Sequence, residues 1–284
     1  MMSKIVQTVI VLTLCWFPPD ALGQLAPPNQ AGVAMGHLHY HVSDVEANTR
    51  FWVALGGTAN RVGQTMVVTF PDVLVLLTEE ASSGGTEGSI LNHVAFRVRS
   101  LDTVAASGFD FGLSDSFSGV TSVFTPEGER IELFDDSATN LTFTIDDGGI
   151  DPVAERHNEP LSVPVIAHHL HLYLPEGAVA EAKRWYASHF GGTPGMRWRY
   201  DAVDLPGINF NFSSRPEVGV PTRGRMLDHI GLEVTNLKAF CQALEDQGVS
   251  LDQPYRTGEL GVDTAVLTDP WGTTIVLTEG LRDF

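Results

Sequence analysis

Four short histidine-led stretches constrain this chain more than any other feature. Gly36 to Val45 reads GHLHYHVSDV, Asn92 to Leu101 reads NHVAFRVRSL, His168 to Gly177 reads HHLHLYLPEG, and Asp228 to Leu237 reads DHIGLEVTNL. Each alternates side chains with period two and ends in polar residues able to start a helix, so each reads as a strand entering a helix. The stretches recur at intervals of 56 residues from His37 to His93 and 60 from His169 to His229. A period of that size marks a structural unit used four times.

The segments that follow keep to one plan. Helical patterns are expected over Val45 to Leu55, Leu101 to Ala106, Ala178 to Phe190 and Leu237 to Gln247; three of the four run into glycines, Gly56-Gly57, Gly191-Gly192 and Gly248, that suit a left-handed helix end. Each unit closes in strands, the last expected at Val73 to Thr78, Arg130 to Phe134, Ile208 to Phe212 and Thr274 to Thr278. Units 2 and 4 launch that strand from matching turns, Thr125-Pro-Glu-Gly128 and Asp269-Pro-Trp-Gly272. Between units 2 and 3, Ser137 to Ala167 holds Asp146-Asp147-Gly148-Gly149 and three prolines, the composition of a connector.

With its strand openings ending in Ser43-Asp44, the phrases Arg50-Phe51-Trp52…Leu55-Gly56-Gly57 and Arg184-Trp185-Tyr186…Phe190-Gly191-Gly192, and the two Pro-x-Gly turns, the chain resembles the vicinal oxygen chelate superfamily. That group includes glyoxalase I, extradiol dioxygenases and bleomycin- or fosfomycin-resistance proteins. The resemblance covers about Met35 to Leu281. It implies an α+β fold of four βαβββ modules paired into two domains, expected at residues 35–136 and 166–284 with a linker at 137–165. It also implies a cleft with a divalent metal on its floor.

Eight of the ten histidines lie in the opening strands: His37, His39, His41, His93, His168, His169, His171 and His229. Period two puts His37, His39 and His41 on one strand face, and His169 with His171 on another. Neutral imidazoles together with a carboxylate make a 2-His-1-carboxylate set for Fe(II), Mn(II), Zn(II) or Ni(II). In Arg130-Ile-Glu-Leu-Phe134, Glu132 points opposite to Ile131 and Leu133. Carried over from the superfamily, the metal ligands fall on His37, His93 and Glu132; if modules 2 and 3 share a cleft instead, the set becomes His93, Glu132 and His169. The positions matching Glu132 elsewhere are Leu76, Asn211 and Val276, so one occupied metal site is expected. His39, His41 and His171 read as groups lining the cleft, with His39 and His41 the candidate catalytic residues. His157 and His189 read as structural. Against a metal stands an ordinary ion pair, with Glu132 neutralised by Arg97 on the same strand face as His93.

The resemblance implies a metal-dependent dioxygenase, lyase or isomerase acting on a small oxygenated molecule, with Fe(II) the favoured ion, or alternatively a non-catalytic binder of the resistance-protein kind. The position of a second glyoxalase-type carboxylate is Leu76, and the tyrosine of ring-cleaving enzymes, three residues before Thr125, is Ser122. Trp52, Trp185, Trp198 and Phe210 could line such a cleft but read as core, and Arg197-Trp198-Arg199 could meet an anionic ligand but reads as a solvated loop. The 17 Lys and Arg against 35 Asp and Glu give a net charge of −18, which repels phosphate backbones and excludes a nucleic-acid partner. Lys4, the apolar run Ile5 to Phe17 and Ala21-Leu22-Gly23 read as a secretory signal peptide over residues 1–23, implying a secreted or periplasmic protein with no membrane attachment after cleavage. Cleavage leaves one cysteine, Cys241, in a helical pattern without His or Arg beside it, so it reads as a small buried residue in a chain without internal disulfides.

Overall fold

The computed structural model describes residues 25–111, 118–139, 141–149, 156–258 and 261–283; the expected signal peptide and Cys15 lie outside them. Module 1 runs β1 (Val33–Val42), α1 (Val45–Ala54), β2 (Thr58–Val62), β3 (Thr65–Phe70) and β4 (Val73–Glu79). Module 2 runs β5 (Leu91–Val98), α2 (Leu101–Ala105), β6 (Val120–Phe124) and β7 (Arg130–Asp135), showing two strands after its helix among the described residues. After β8 (Phe143–Ile145), module 3 runs β9 (Val165–Pro175), α3 (Val179–Phe190), β10 (Thr193–Arg197), β11 (Tyr200–Leu205) and β12 (Ile208–Arg215). Module 4 runs β13 (Leu227–Val234), α4 (Leu237–Asp246), β14 (Gln253–Arg256), β15 (Asp263–Thr268) and β16 (Thr274–Glu279). Helices and closing strands thus fall where the sequence patterns place them. Asp44 caps α1 by accepting from the N–H of Ala47, and Gly191 ends α3 in the left-handed conformation, φ 66°.

The pairing of modules differs from the order along the chain. One eight-stranded sheet runs β14-β15-β16-β13-β1-β4-β3-β2 and the other β6-β7-β5-β9-β12-β11-β10-β8. Module 1 therefore shares a sheet with module 4, and module 2 with module 3, through the antiparallel pairs β1–β13 and β5–β9. Residues 35–136 and 166–284 do not each close a sheet of their own. The linker is more than a connector as well: β8 adds to the edge of the second sheet beside β10.

What joins the sequence neighbours is the core between the sheets. Leu38, Tyr40 and Val42 of β1 alternate with His37, His39 and His41, while Val94, Phe96 and Val98 of β5 alternate with His93, Ala95 and Arg97; both apolar sets belong to one buried cluster. Phe70 of the first sheet meets Phe96 of the second at 5.1 Å between ring centroids, and Trp52 of α1 packs on both rings. The turns of modules 2 and 4 fasten each half. Glu127 accepts from the N–H of Ser43 (2.8 Å) and from the Asn48 side chain (2.9 Å), and Tyr186 donates to Asp269 (2.7 Å). Since the apolar faces of the two sheets meet, the histidine faces turn away from each other and form two separate clefts. Among the described residues no helix is long and apolar enough to cross a membrane.

Cys241 is buried, and burial together with Glu245 pushes its thiol up to about 11. It is the unreactive packing residue the sequence implies. Trp52, fully buried between the sheets, is the sharpest probe of the shared core. Trp52→Ala is expected to lower unfolding stability by about 3–5 kcal/mol in urea denaturation of the full chain; a loss below about 1 kcal/mol would mean that the sheets do not depend on this contact.

Candidate metal centre

Both clefts are built on irregular strand pairing. In β5–β9 the register passes from Leu91↔Leu172 to His93↔His171 and from Ala95↔His169 to Phe96↔Ala167, leaving Asn92 and His168 as extra residues. In β1–β13 it passes from Met35↔Leu232 to His37↔Gly231 and from His39↔His229 to Tyr40↔Leu227, leaving Gly36 and Asp228. These are β-bulges, which bend the strand and re-aim its side chains. Each lies one residue before a first-strand histidine.

In the cleft of modules 2 and 3 the bulge residues hold the imidazoles from behind. Nδ1 of His93 meets Asn92 Oδ1 at 2.9 Å, a shorter contact than the 3.3 Å to Arg130, and Nδ1 of His169 meets Nδ1 of His168 at 2.8 Å. Engaging Nδ1 turns Nε2 forward in both rings. The two Nε2 atoms lie 3.3 and 3.6 Å from Oε2 of Glu132. Both are buried, and neither makes an aligned hydrogen bond. Oε1 of the same carboxylate accepts from Arg130 Nη2 at 2.7 Å, so Arg130 holds one oxygen and leaves the other aimed at the imidazoles. Two buried nitrogens without hydrogen-bond partners facing one carboxylate oxygen fit a divalent ion. His171 belongs to the same cluster, its ring nitrogen within 4.8 Å of those of His93 and His169. Its Nε2 meets Ser213 Oγ at 2.8 Å, and its ring stacks on Tyr173.

The electrostatics suit that reading. Burial pushes His169 and His171 well below the ordinary imidazole range, with Arg197 and the neighbouring imidazoles adding to the effect, so both are neutral and able to offer a lone pair. Burial disfavours charge on Glu132, but the close approach of His93 and the charges of Arg130 and Arg197 outweigh it and hold the carboxyl below its usual range. A cavity of about 140 Å³ opens on the group, lined by Arg130, Glu132, His171, Tyr173, Arg197 and Tyr200 among others.

The set His37, His93 and Glu132 is not brought together. His37 lies in the other sheet, on a face turned away from His93, and its ring touches those of His39 and His229. His39 and His41 line that other cleft too; His39 Nε2 meets Thr78 Oγ1 at 2.8 Å and His41 Nε2 lies 3.4 Å from Glu80. Neither borders the cavity of Glu132. The alternative set His93, Glu132 and His169 is the one that converges. Arg97 does not neutralise Glu132: it pairs with Asp136 at 2.9 Å and donates to the carbonyls of Arg156 and Glu159. His157, 2.8 Å from Asp204, and His189, 3.0 Å from Gln247, have structural partners. Trp52 and Phe210 are core, whereas Trp198 is 53% exposed beneath the Arg199 guanidinium.

Sequence reasoning missed Arg130 and Asn92, named His168 without a role, and read Arg197 chiefly as part of a solvated loop. Arg130 had a signal, since period two puts it on the face of Glu132. Arg197 ends β10 rather than lying in a solvated loop; it is 1% exposed, with its guanidinium over Phe134 and Tyr200, and burial lowers its pKa to about 10.

The comparisons with known proteins agree with this architecture. Residues 166–277, covering modules 3 and 4, match the family model described as Glyoxalase/Bleomycin resistance protein/Dioxygenase superfamily. Among solved structures, glyoxalase I from Zea mays is similar at a TM-score of 0.61 and 14% identity, covering 88% of this chain and 94% of that one. A mutant form of that maize enzyme gives a TM-score of 0.61 at 13% identity, covering 89% and 95%. A Bacillus subtilis protein named "putative dioxygenase" gives 0.61 at 10% identity, covering 90% and 86%. At these identities the likeness is one of fold. No curated protein sequence matches the chain.

Five buried histidines, His37, His157, His168, His169 and His171, and the partly exposed His39 have pKa values lowered chiefly by desolvation, His39 to about 3 and His157 to about 4. Between each folded value and the unfolded value near 6.5, the unfolded chain binds more protons, so stability is full above that pH and falls as pH drops. The metal-free protein is expected to lose thermal stability steeply from pH 6.5 to 5, each such histidine adding up to about 1.4 kcal/mol per pH unit. A melting temperature flat over that range would contradict the burial of these rings.

Proposed function

We propose, for a chain whose residues 166–277 match the family model described as Glyoxalase/Bleomycin resistance protein/Dioxygenase superfamily, that the cleft of modules 2 and 3 is the active site of a divalent-metal-dependent enzyme acting on a small oxygenated molecule. The observation that carries this reading is the convergence of two partnerless Nε2 atoms, from His93 and His169, on Oε2 of Glu132. These three residues would hold the ion. Bound there, a divalent ion supplies Lewis acidity toward substrate oxygens, with open positions left by a three-ligand set.

The rest of the cleft prepares the chemistry. Asn92 and His168 fix the ring orientations of the two ligands. Arg130 occupies Oε1 of Glu132 and, with His93 and Arg197, favours its ionised form. Arg197, buried behind the cavity, is a fixed positive charge that favours an anionic or enolate-like oxygen over a neutral one. His171 is neutral at pH 7 and stands beside the ligands, its Nε2 engaged by Ser213 Oγ. Tyr173, its pKa raised by burial and by Tyr200, stays protonated as a hydroxyl donor at the rim. A space of about 140 Å³ admits a small substrate or the reacting end of a longer one. The apolar run from Ile5 and the Ala21-Leu22-Gly23 site support an exported protein.

The Arg130–Glu132 ion pair favours a second reading, a metal-free cleft that only binds a small molecule. Metal analysis of the full chain separates the two, with Fe(II), Mn(II), Zn(II) and Ni(II) each offered to stripped protein. One ion is expected whose affinity falls by about 100-fold or more in His169→Ala and in Glu132→Ala, beyond the 10–100-fold typical of removing an outer partner. His41→Ala should leave that ion in place. Equal metal content in wild type and His169→Ala would overturn the enzyme reading and leave the binder.

A further inference from the structure

The cleft of modules 1 and 4 repeats the imidazoles of its counterpart without the carboxylate. Opposite partners in the two sheets correspond: His39 faces His229 as His171 faces His93, and His37 faces Gly231 as His169 faces Ala95. The parallel pairings place Val276 beside Gly231 where Glu132 stands beside Ala95, and Leu76 beside His39 where Asn211 stands beside His171. His37, His39 and His229 each offer one ring nitrogen, all within 4.8 Å of one another. Their ring centroids lie 4.6 to 6.3 Å apart.

Three further observations separate this cluster from ordinary strand histidines. Asp228, the bulge residue, accepts from Nδ1 of His229 at 2.6 Å, leaving Nε2 as the forward nitrogen. That is the carboxylate–histidine arrangement which orients a ring toward a metal and raises its basicity. Thr78 engages Nε2 of His39, leaving Nδ1. His37 is 3% exposed, and its Nδ1 is buried with no hydrogen-bond partner. Its ring fills the space beside Gly231, where any side chain would collide with it. The three rings meet edge to face or tilted, and the side-chain partners of His39 and His229 are Thr78 and Asp228 rather than one another. A cavity of about 390 Å³, bordered by His37, His39, His229, Arg223 and Arg256, gives an entry path.

We propose that His37, His39 and His229 form a second divalent-cation site, a three-imidazole centre with Asp228 behind it, selective for a late first-row ion such as Zn(II). Three neutral nitrogen donors with a fourth position open to solvent is an established coordination for zinc, whereas Mn(II) and Mg(II) favour oxygen donors. The two clefts thereby differ in kind: the carboxylate-containing set of modules 2 and 3 suits Mn(II) as well, and the all-imidazole set does not. This proposal is independent of any reaction in the other cleft.

The test is Zn(II) titration of the stripped, full chain against a chromogenic chelator, comparing wild type with His229→Gln. His229→Gln is expected to bind one ion fewer than wild type while keeping the ion that depends on His169. An unchanged number of ions overturns the proposal. Should His229→Gln fail to fold, judged by far-ultraviolet circular dichroism without metal, Asp228→Ala serves instead: the affinity of one ion should fall about 10- to 100-fold. No change in either affinity would be the contrary result. With Mn(II) in place of Zn(II), wild type and His229→Gln should bind alike; a His229-dependent Mn(II) ion would overturn the stated selectivity.

Discussion

The arrangement of both clefts depends on one extra residue before each first-strand histidine. Gly36, Asn92, His168 and Asp228 interrupt the central strand pairs one position ahead of His37, His93, His169 and His229. In a regular antiparallel pair a strand residue is aimed by the pleat alone. The bulge frees the preceding residue to turn in behind the ring, and in three of the four cases its side chain engages Nδ1 of that histidine. Which nitrogen faces the cleft is thereby decided by the backbone register. A one-residue slip would carry the imidazoles into the core and Leu38, Tyr40, Val94 and Phe96 into the clefts.

Burial of the apolar face fixes that register. The two sheets meet through Phe70, Phe96 and Trp52, and the opposite faces are left to carry histidine. Imidazoles so placed are desolvated, which keeps His37, His169 and His171 neutral. Desolvation that would penalise a lone charge favours coordination here, because a metal ion needs the unprotonated ring. Glu132 escapes neutralisation because His93, Arg130 and Arg197 stand around it.

Much of this was legible in the chain. The repeat located the helices and closing strands, since each module carries its own periodicities and turns. The face occupied by Glu132 followed from Ile131 and Leu133. Partner choice was not legible: period two says which face a histidine occupies but not which strand lies beside it, so His37 was joined to His93 when it faces Gly231 instead. Bulges leave no mark in an alternating pattern, which hid the roles of Asn92, His168 and Asp228. Arg197 was hidden by a hairpin so tight, with Trp198 at φ 52°, that the strand leading into it read as a loop.

The central claim is that His93, His169 and Glu132 surround one ion, and anomalous diffraction from crystals of the full chain grown with Mn(II) tests it most directly. The account predicts a peak at about 2.0–2.3 Å from Nε2 of both histidines and Oε2 of Glu132, the range of ordinary metal–ligand bonds, with Arg130 still on Oε1. No peak there, with Oε2 drawn onto a guanidinium or a protonated imidazole, would contradict it.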